Sequence, residues 1–100
     1  MIKHIVVWKL KDPVLPKTKF DNALMIKEKL ESLNGKIEGM IKLEVGIDFS
    51  KTENSSDIIL YSEFASKKDL ENYMMHPEHK AVVPMILESV TERRLIDYVV

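Results

Sequence analysis

The chain contains no cysteine among its 100 residues. That excludes a disulfide framework, cysteine-ligated zinc or iron–sulfur centres and a thiol nucleophile, and it accords with a reducing compartment. Glycine is nearly as scarce. Gly35, Gly39 and Gly46 do not make a phosphate-cradling loop, and no serine sits in a Gly-x-Ser-x-Gly context, so neither P-loop nor nucleophile-elbow chemistry has a foothold. No charge sign dominates either: 15 Lys+Arg stand against 16 Asp+Glu, a formal net charge of -1. Scattered as they are, the basic residues leave no electrostatic footprint for nucleic acid or an acidic membrane. Long apolar runs are also missing. The stretch from Met1 to Lys11 is too short and too interrupted by Lys and His for a signal peptide, and nothing later reaches transmembrane length. The expected location is the cytoplasm.

What is present, 45% hydrophobic and 31% charged residues, is the composition of one globular domain spanning residues 1–100. Ile2 to Lys11 alternates Ile2, His4, Val6, Trp8 and Leu10 against Lys3, Ile5, Val7, Lys9 and Lys11, which is strand periodicity. Asp12-Pro13-Val-Leu-Pro16 breaks it. From about Lys17 to Leu33, Phe20, Ala23, Leu24, Ile26, Leu30 and Leu33 form a helical stripe, stopped by Asn34-Gly35. Ile41, Leu43, Val45 and Ile47 alternate with polar residues as a second, one-sided strand, and the polar stretch Ser50 to Ser56 turns the chain into a third, Asp57 to Ala65. Ser66 with Asp69 resembles a capping box opening a short helix, Lys67 to Met75. His76-Pro77 should kink the chain and restart a helix, which Pro84 should disturb before Glu88. Thr91 to Val100 reads as a last strand, Leu95 and Val99 on one face, Ile96, Tyr98 and Val100 on the other.

The order β-α-β-β-α-β predicts an α+β, ferredoxin-like fold: a four-stranded antiparallel sheet with its helices on one face. The first, third and last strands nevertheless carry apolar residues on both faces. At roughly 25 cal/mol per Å² of wet apolar area, several hundred Å² left open would cost several kcal/mol, comparable with a small domain's whole stability. A symmetric homodimer packed sheet to sheet, a dimeric α/β barrel, is the economical solution.

The candidate site is the run Asp69-Leu-Glu-Asn-Tyr73-Met-Met-His76-Pro-Glu-His79, with His4 from the first strand. His4 shares its face with Ile2, Val6 and Trp8, where a hydrogen-bonded structural role competes with a chemical one. His76 can cap the restarted helix and His79 can sit in its first turn. The sharper reading makes His79 a general base and Tyr73 a hydroxyl that polarises a carbonyl, with His4 opposite and His76 and Trp8 contacting a ligand. Tyr73 and His76, three apart, fall on one helical face, whereas Pro77 prevents extrapolating that face to His79. Three imidazoles and Glu78 raise the alternative of a metal site, but the spacing is not the His-Glu-x-x-His arrangement and no cysteine assists, so neither metal nor cofactor is expected. Met25, Met40, Met74, Met75 and Met85 are adaptable core or interface filler that would also suit an apolar ligand.

Taken together, Lys3-His-Ile-Val-Val-Trp-Lys-Leu-Lys11, Leu43-Glu-Val-Gly-Ile-Asp48, Asp57 to Phe64, Asp69-Leu-Glu-Asn-Tyr73, His76-Pro-Glu-His79 and Ile96-Asp-Tyr98 resemble the stress-responsive dimeric α/β-barrel family, Dabb. The run Tyr73-x-x-His76-Pro-x-His79 with an early His4 is the specific part. The resemblance implies a ferredoxin-like subunit dimerising through its sheet. A plant member with a similar Tyr/His cluster closes a linear polyketide by aldol condensation without a cofactor; by that likeness His79 would be the general base and Tyr73 the substrate-holding hydroxyl, with His4 and His76 nearby. The chain departs from it in having no tyrosine between Ala23 and Leu30 and a different loop length around Pro13 to Pro16. Two functions are therefore expected: binding of a small hydrophobic ligand between sheet and helices, or cofactor-independent cyclase, isomerase or monooxygenase chemistry on a small hydrophobic carbonyl or phenolic compound.

Overall fold

A computed structural model describes residues 1–100. Alternation in the first strand becomes a burial pattern: in β1 (Ile2–Leu10) the even-numbered residues are buried and the odd-numbered ones half-buried. Helix α1 (Lys19–Glu31) follows, starting where Thr18 accepts a hydrogen bond from the Asp21 amide and the Asp21 carboxylate accepts one from the Thr18 amide. This reciprocal cap satisfies two otherwise orphaned donors and fixes the start two residues beyond the expected Lys17. Strands β2 (Met40–Ile47) and β3 (Ile58–Phe64) form a hairpin, and two short helices, α2 (Lys67–Met75) and α3 (Pro77–Ser89), lead into β4 (Val90–Val99). The strands lie in the order β2-β3-β1-β4 with every neighbouring pair antiparallel. This is the expected ferredoxin-like sheet, its second helix split in two.

The helices pack on the face bearing Ile2, Val6, Trp8, Leu43, Val45, Ile58, Leu60 and Phe64, all buried, and add Ala23, Ile26, Leu30, Tyr73 and Ile86, with Leu33 from the turn after α1. Three details correct the sequence reading. Phe20 and Leu24 are exposed instead of joining the packed stripe, because Leu24 lies one 100° helical step beyond Ala23, away from the line through Ile26 and Leu30. Ile41 points out: an irregularity between Met40 and Lys42 sets Met40 opposite Phe64 and Lys42 opposite Glu63, so the extra residue breaks the alternation. Pro84 lies inside α3 without ending it. Its position is exposed, so water can reach the Lys80 carbonyl that a proline cannot serve. The loss is offset by buried Ile86 and by Val82 and Met85, which pack against the core.

The opposite face of the sheet bears no helix. In register across it run Ile59 with Val7, then Tyr61 with Ile5 and Ile96. Ile59, Ile96 and Tyr98 are exposed in the single subunit.

Candidate functional site

The site is built where β1 passes beneath the break between α2 and α3. Strand alternation points His4, Val6 and Trp8 at the helices, and α2 brings Tyr73 down onto the same layer, wholly buried. At the break, His76 adopts extended backbone (φ -65°, ψ 135°), serving as C-cap of α2 and N-cap of α3. Because His76 has left the helix, the three-residue spacing from Tyr73 no longer sets them side by side. Its Nδ1 instead accepts a hydrogen bond from the Glu78 amide at 3.1 Å, and its side chain lies toward Lys36, Glu38, Asp69 and Asn72. The restart at Pro77 swings His79 back instead, its ring centroid 4.4 Å from that of Tyr73. His4 stands 6.1 Å from Tyr73, roughly edge-on.

Four of the five residues singled out from the sequence, His4, Trp8, Tyr73 and His79, thus line one cavity of about 230 Å³; His76 is not among its lining residues. The walls are otherwise mostly apolar, from Val6 and Leu60 on the sheet to Leu30, Met74, Val83, Ile86 and Leu87 on the helices, with Arg93 as the one formally charged residue. No group of three or more His, Asp or Glu side chains is gathered closely enough to hold a metal ion.

Each polar group in the cavity has a distinct state. The Tyr73 hydroxyl is buried and has no hydrogen-bond partner; burial alone pushes its pKa up, keeping it a neutral phenol that can donate or accept. His79 Nδ1 lies 3.3 Å from the Met74 carbonyl oxygen. A carbonyl only accepts, so the proton sits on Nδ1 and Nε2 of the neutral ring is a bare lone pair. Burial holds the His79 pKa below its usual value, opposed by the Met74 hydrogen bond and aided by the charges of His4, Arg93 and His76. His4 is oriented likewise by Asp97, whose Oδ1 lies 2.5 Å from Nδ1. The imidazole is 3% exposed, so the carboxylate fixes a buried ring, again leaving Nε2 bare in its neutral form.

Asp97 and Arg93 were missed in the sequence. Their signal was there: Arg93, Leu95, Asp97 and Val99 alternate along β4, so the face assigned to Leu95 and Val99 carries both charges. Register completes the argument by setting Asp97 opposite His4 and Arg93 opposite Trp8.

Known proteins agree with this architecture. A dimeric protein of unknown function and ferredoxin-like fold from Bacteroides fragilis is 37% identical, with a TM-score of 0.83 over 97% of this chain and 93% of its own. An Arabidopsis thaliana protein is 30% identical, with a TM-score of 0.77 over 100% of this chain and 95% of its own. A hydroxynitrile lyase from Passiflora edulis shares the fold at 16% identity, with a TM-score of 0.74 over 99% and 92% of the two chains. Among curated proteins, none matches. The model of the stress responsive A/B barrel domain matches residues 2–100, and the chain belongs to that family, Dabb.

Proposed function

We propose that the protein binds a small, predominantly apolar molecule in the cavity between β1 and the α2–α3 break, and does so as a homodimer packed through the open sheet face. The observation that carries the ligand reading is the orphaned Tyr73 hydroxyl in an otherwise apolar cavity. A buried hydroxyl without a partner costs about 1–3 kcal/mol, which a carbonyl or phenolic oxygen on a bound molecule would recover. At about 230 Å³ the space suits a fragment-sized compound, below the roughly 300–1,000 Å³ of drug-sized pockets.

Trp8 provides the test, since it is the only tryptophan and lines the cavity. Aromatic ketones and phenols titrated into the protein should change its fluorescence saturably. Val83→Trp, which fills the cavity from its wall, should abolish protection against thermal unfolding by the same compounds. Saturable protection that survives this filling would overturn the assignment of the cavity.

Support for the dimer comes from exposed Ile59, Ile96 and Tyr98 beside half-buried Ile5, Val7 and Tyr61, which sheet-on-sheet contact would cover. Light scattering at micromolar concentration should give twice the 11.6 kDa chain mass, and Ile96→Asp should lower it. A native mass of one chain removes this part. No helix is long and apolar enough to cross a membrane, and the cysteine-free composition supports a cytoplasmic location.

A second reading is cofactor-independent acid/base chemistry of the cyclase, isomerase or monooxygenase kind, with His79 as general base. It is favoured by the bare Nε2 that the Met74 contact leaves on a ring whose centroid lies 4.4 Å from that of Tyr73. His79→Ala should abolish turnover while leaving binding intact. An equally active variant would rule His79 out.

A further inference from the structure

The ligand proposed above still lacks a chemical class, and Arg93 supplies one. Its neighbours on the helix-facing side of β4 are Leu95 and Asp97, and it sits opposite Trp8 in the strand register. It lines the cavity yet is exposed, so it stands at the mouth, as does Leu87, another exposed lining residue. No carboxylate lies within ion-pair distance of its guanidinium, whereas the next residue, Arg94, on the opposite face, pairs with Glu92 at 3.7 Å. Asp97 points its carboxylate to His4 instead. The cavity lining contains no acidic residue. An unpaired, permanently charged fork of donors at the rim of a pocket with no negative charge is complementary to a planar anion. Its charge reaches the interior, since it is among the influences acting on His79.

We propose that Arg93 is a specificity-determining residue that selects an amphiphilic carboxylate. The apolar end of such a ligand enters between Leu30, Leu60 and Ile86, and its carboxylate meets the guanidinium at the mouth. Any oxygen along its length passes Tyr73 and His79. The assignment rests on the cavity being a ligand site, and it narrows the ligand from apolar molecules in general to weak organic acids with an aromatic or alkyl body.

A matched pair of probes separates the two levels. 4-Phenylbutanoate and 4-phenylbutan-1-ol share a skeleton and differ at the terminus, and each is titrated calorimetrically and by Trp8 fluorescence into the full chain. The acid should bind about tenfold more tightly than the alcohol. Arg93→Gln should erase that preference by weakening the acid far more than the alcohol, and Lys29→Gln, an exposed charge on α1 outside the cavity, should preserve it. In the native protein, raising the salt from 50 to 500 mM should shrink the preference without any substitution. Equal binding of acid and alcohol, or a preference that Arg93→Gln retains, overturns the role of Arg93 while the cavity reading stands. Failure of both probes to bind removes the cavity reading and this one with it.

Discussion

His4 on β1 and Asp97 on β4 face each other in register, and their side chains meet between Nδ1 and Oδ1 at 2.5 Å. The pair links the strand beneath the cavity to an edge strand that is otherwise exposed. Removing the carboxylate strands a buried N–H, whereas an amide retains an oxygen to accept it. Asp97→Ala should therefore destabilise the protein by about 1–2 kcal/mol, and Asp97→Asn by less than half as much. The Asp97 side chain is 38% exposed, so water replaces part of the contact and holds the loss to the lower end of that range. Urea midpoints of the three proteins give the comparison; equal losses for Ala and Asn would mean that the acceptor is not what stabilises the pair.

Tyr73 presents the opposite case, a polar atom whose removal should help. In the absence of ligand its hydroxyl is buried and unpartnered, and Tyr73→Phe keeps the ring's contact with Phe64, at a centroid distance of 5.1 Å. The variant should be more stable by about 1 kcal/mol, a rise of several degrees in Tm for a domain of this size. It should also bind oxygen-bearing ligands less well. An unchanged or lower Tm would show that the hydroxyl is satisfied in solution.

His79 should make stability depend on pH below neutrality. Burial depresses its folded pKa, while the unfolded chain titrates near the ordinary value of about 6.5. Below about 6.5 the unfolded chain binds more protons than the folded one, so stability falls as pH drops toward the folded pKa; above it this group contributes no slope. Unfolding midpoints at pH 7.5, 6 and 5 should decline more for the native protein than for His79→Gln. Identical slopes would remove His79 as the source.

How far these groups were legible depended on what each inference required. Alternation placed His4 and Trp8 on one face because a strand's period of two is independent of context. Capping chemistry set the start of α2 through Ser66, whose Oγ accepts from the Asp69 amide at 3.1 Å. The pairing of Tyr73 with His79 followed from residue chemistry and the family resemblance but not from spacing, because their contact depends on the direction in which α3 leaves His76, and no spacing rule crosses a helix break. Ile41 failed for a related reason: one extra residue in β2 inverts a pattern that is sound on either side of it. Asp97 was legible by alternation, yet it gains meaning only through a register connecting residues 93 positions apart.

The same helix entrance gives a last test, between two glycines that look alike in sequence. Both take left-handed backbone, Gly35 at φ +81° and Gly39 at φ +83°, where any side chain costs roughly 1 kcal/mol. They differ in their surroundings. A Cβ on Gly35 would meet nothing within 4 Å, whereas one on Gly39 would lie 2.7 Å from Asp69 Cβ and closer still to its carboxylate. Asp69 cannot yield freely, because its amide donates to Ser66 Oγ and its Oδ2 accepts from that hydroxyl at 2.8 Å, forming the N-cap of α2. Gly35→Ala should thus cost about 1 kcal/mol, the conformational term alone. Gly39→Ala adds the lost cap, for a total of about 2–3 kcal/mol, and disturbs the helix that carries Tyr73, so it should weaken ligand binding as well. Chemical denaturation and Trp8 titration of both variants give the comparison; equal stability losses would mean that Asp69 moves aside without unseating the cap.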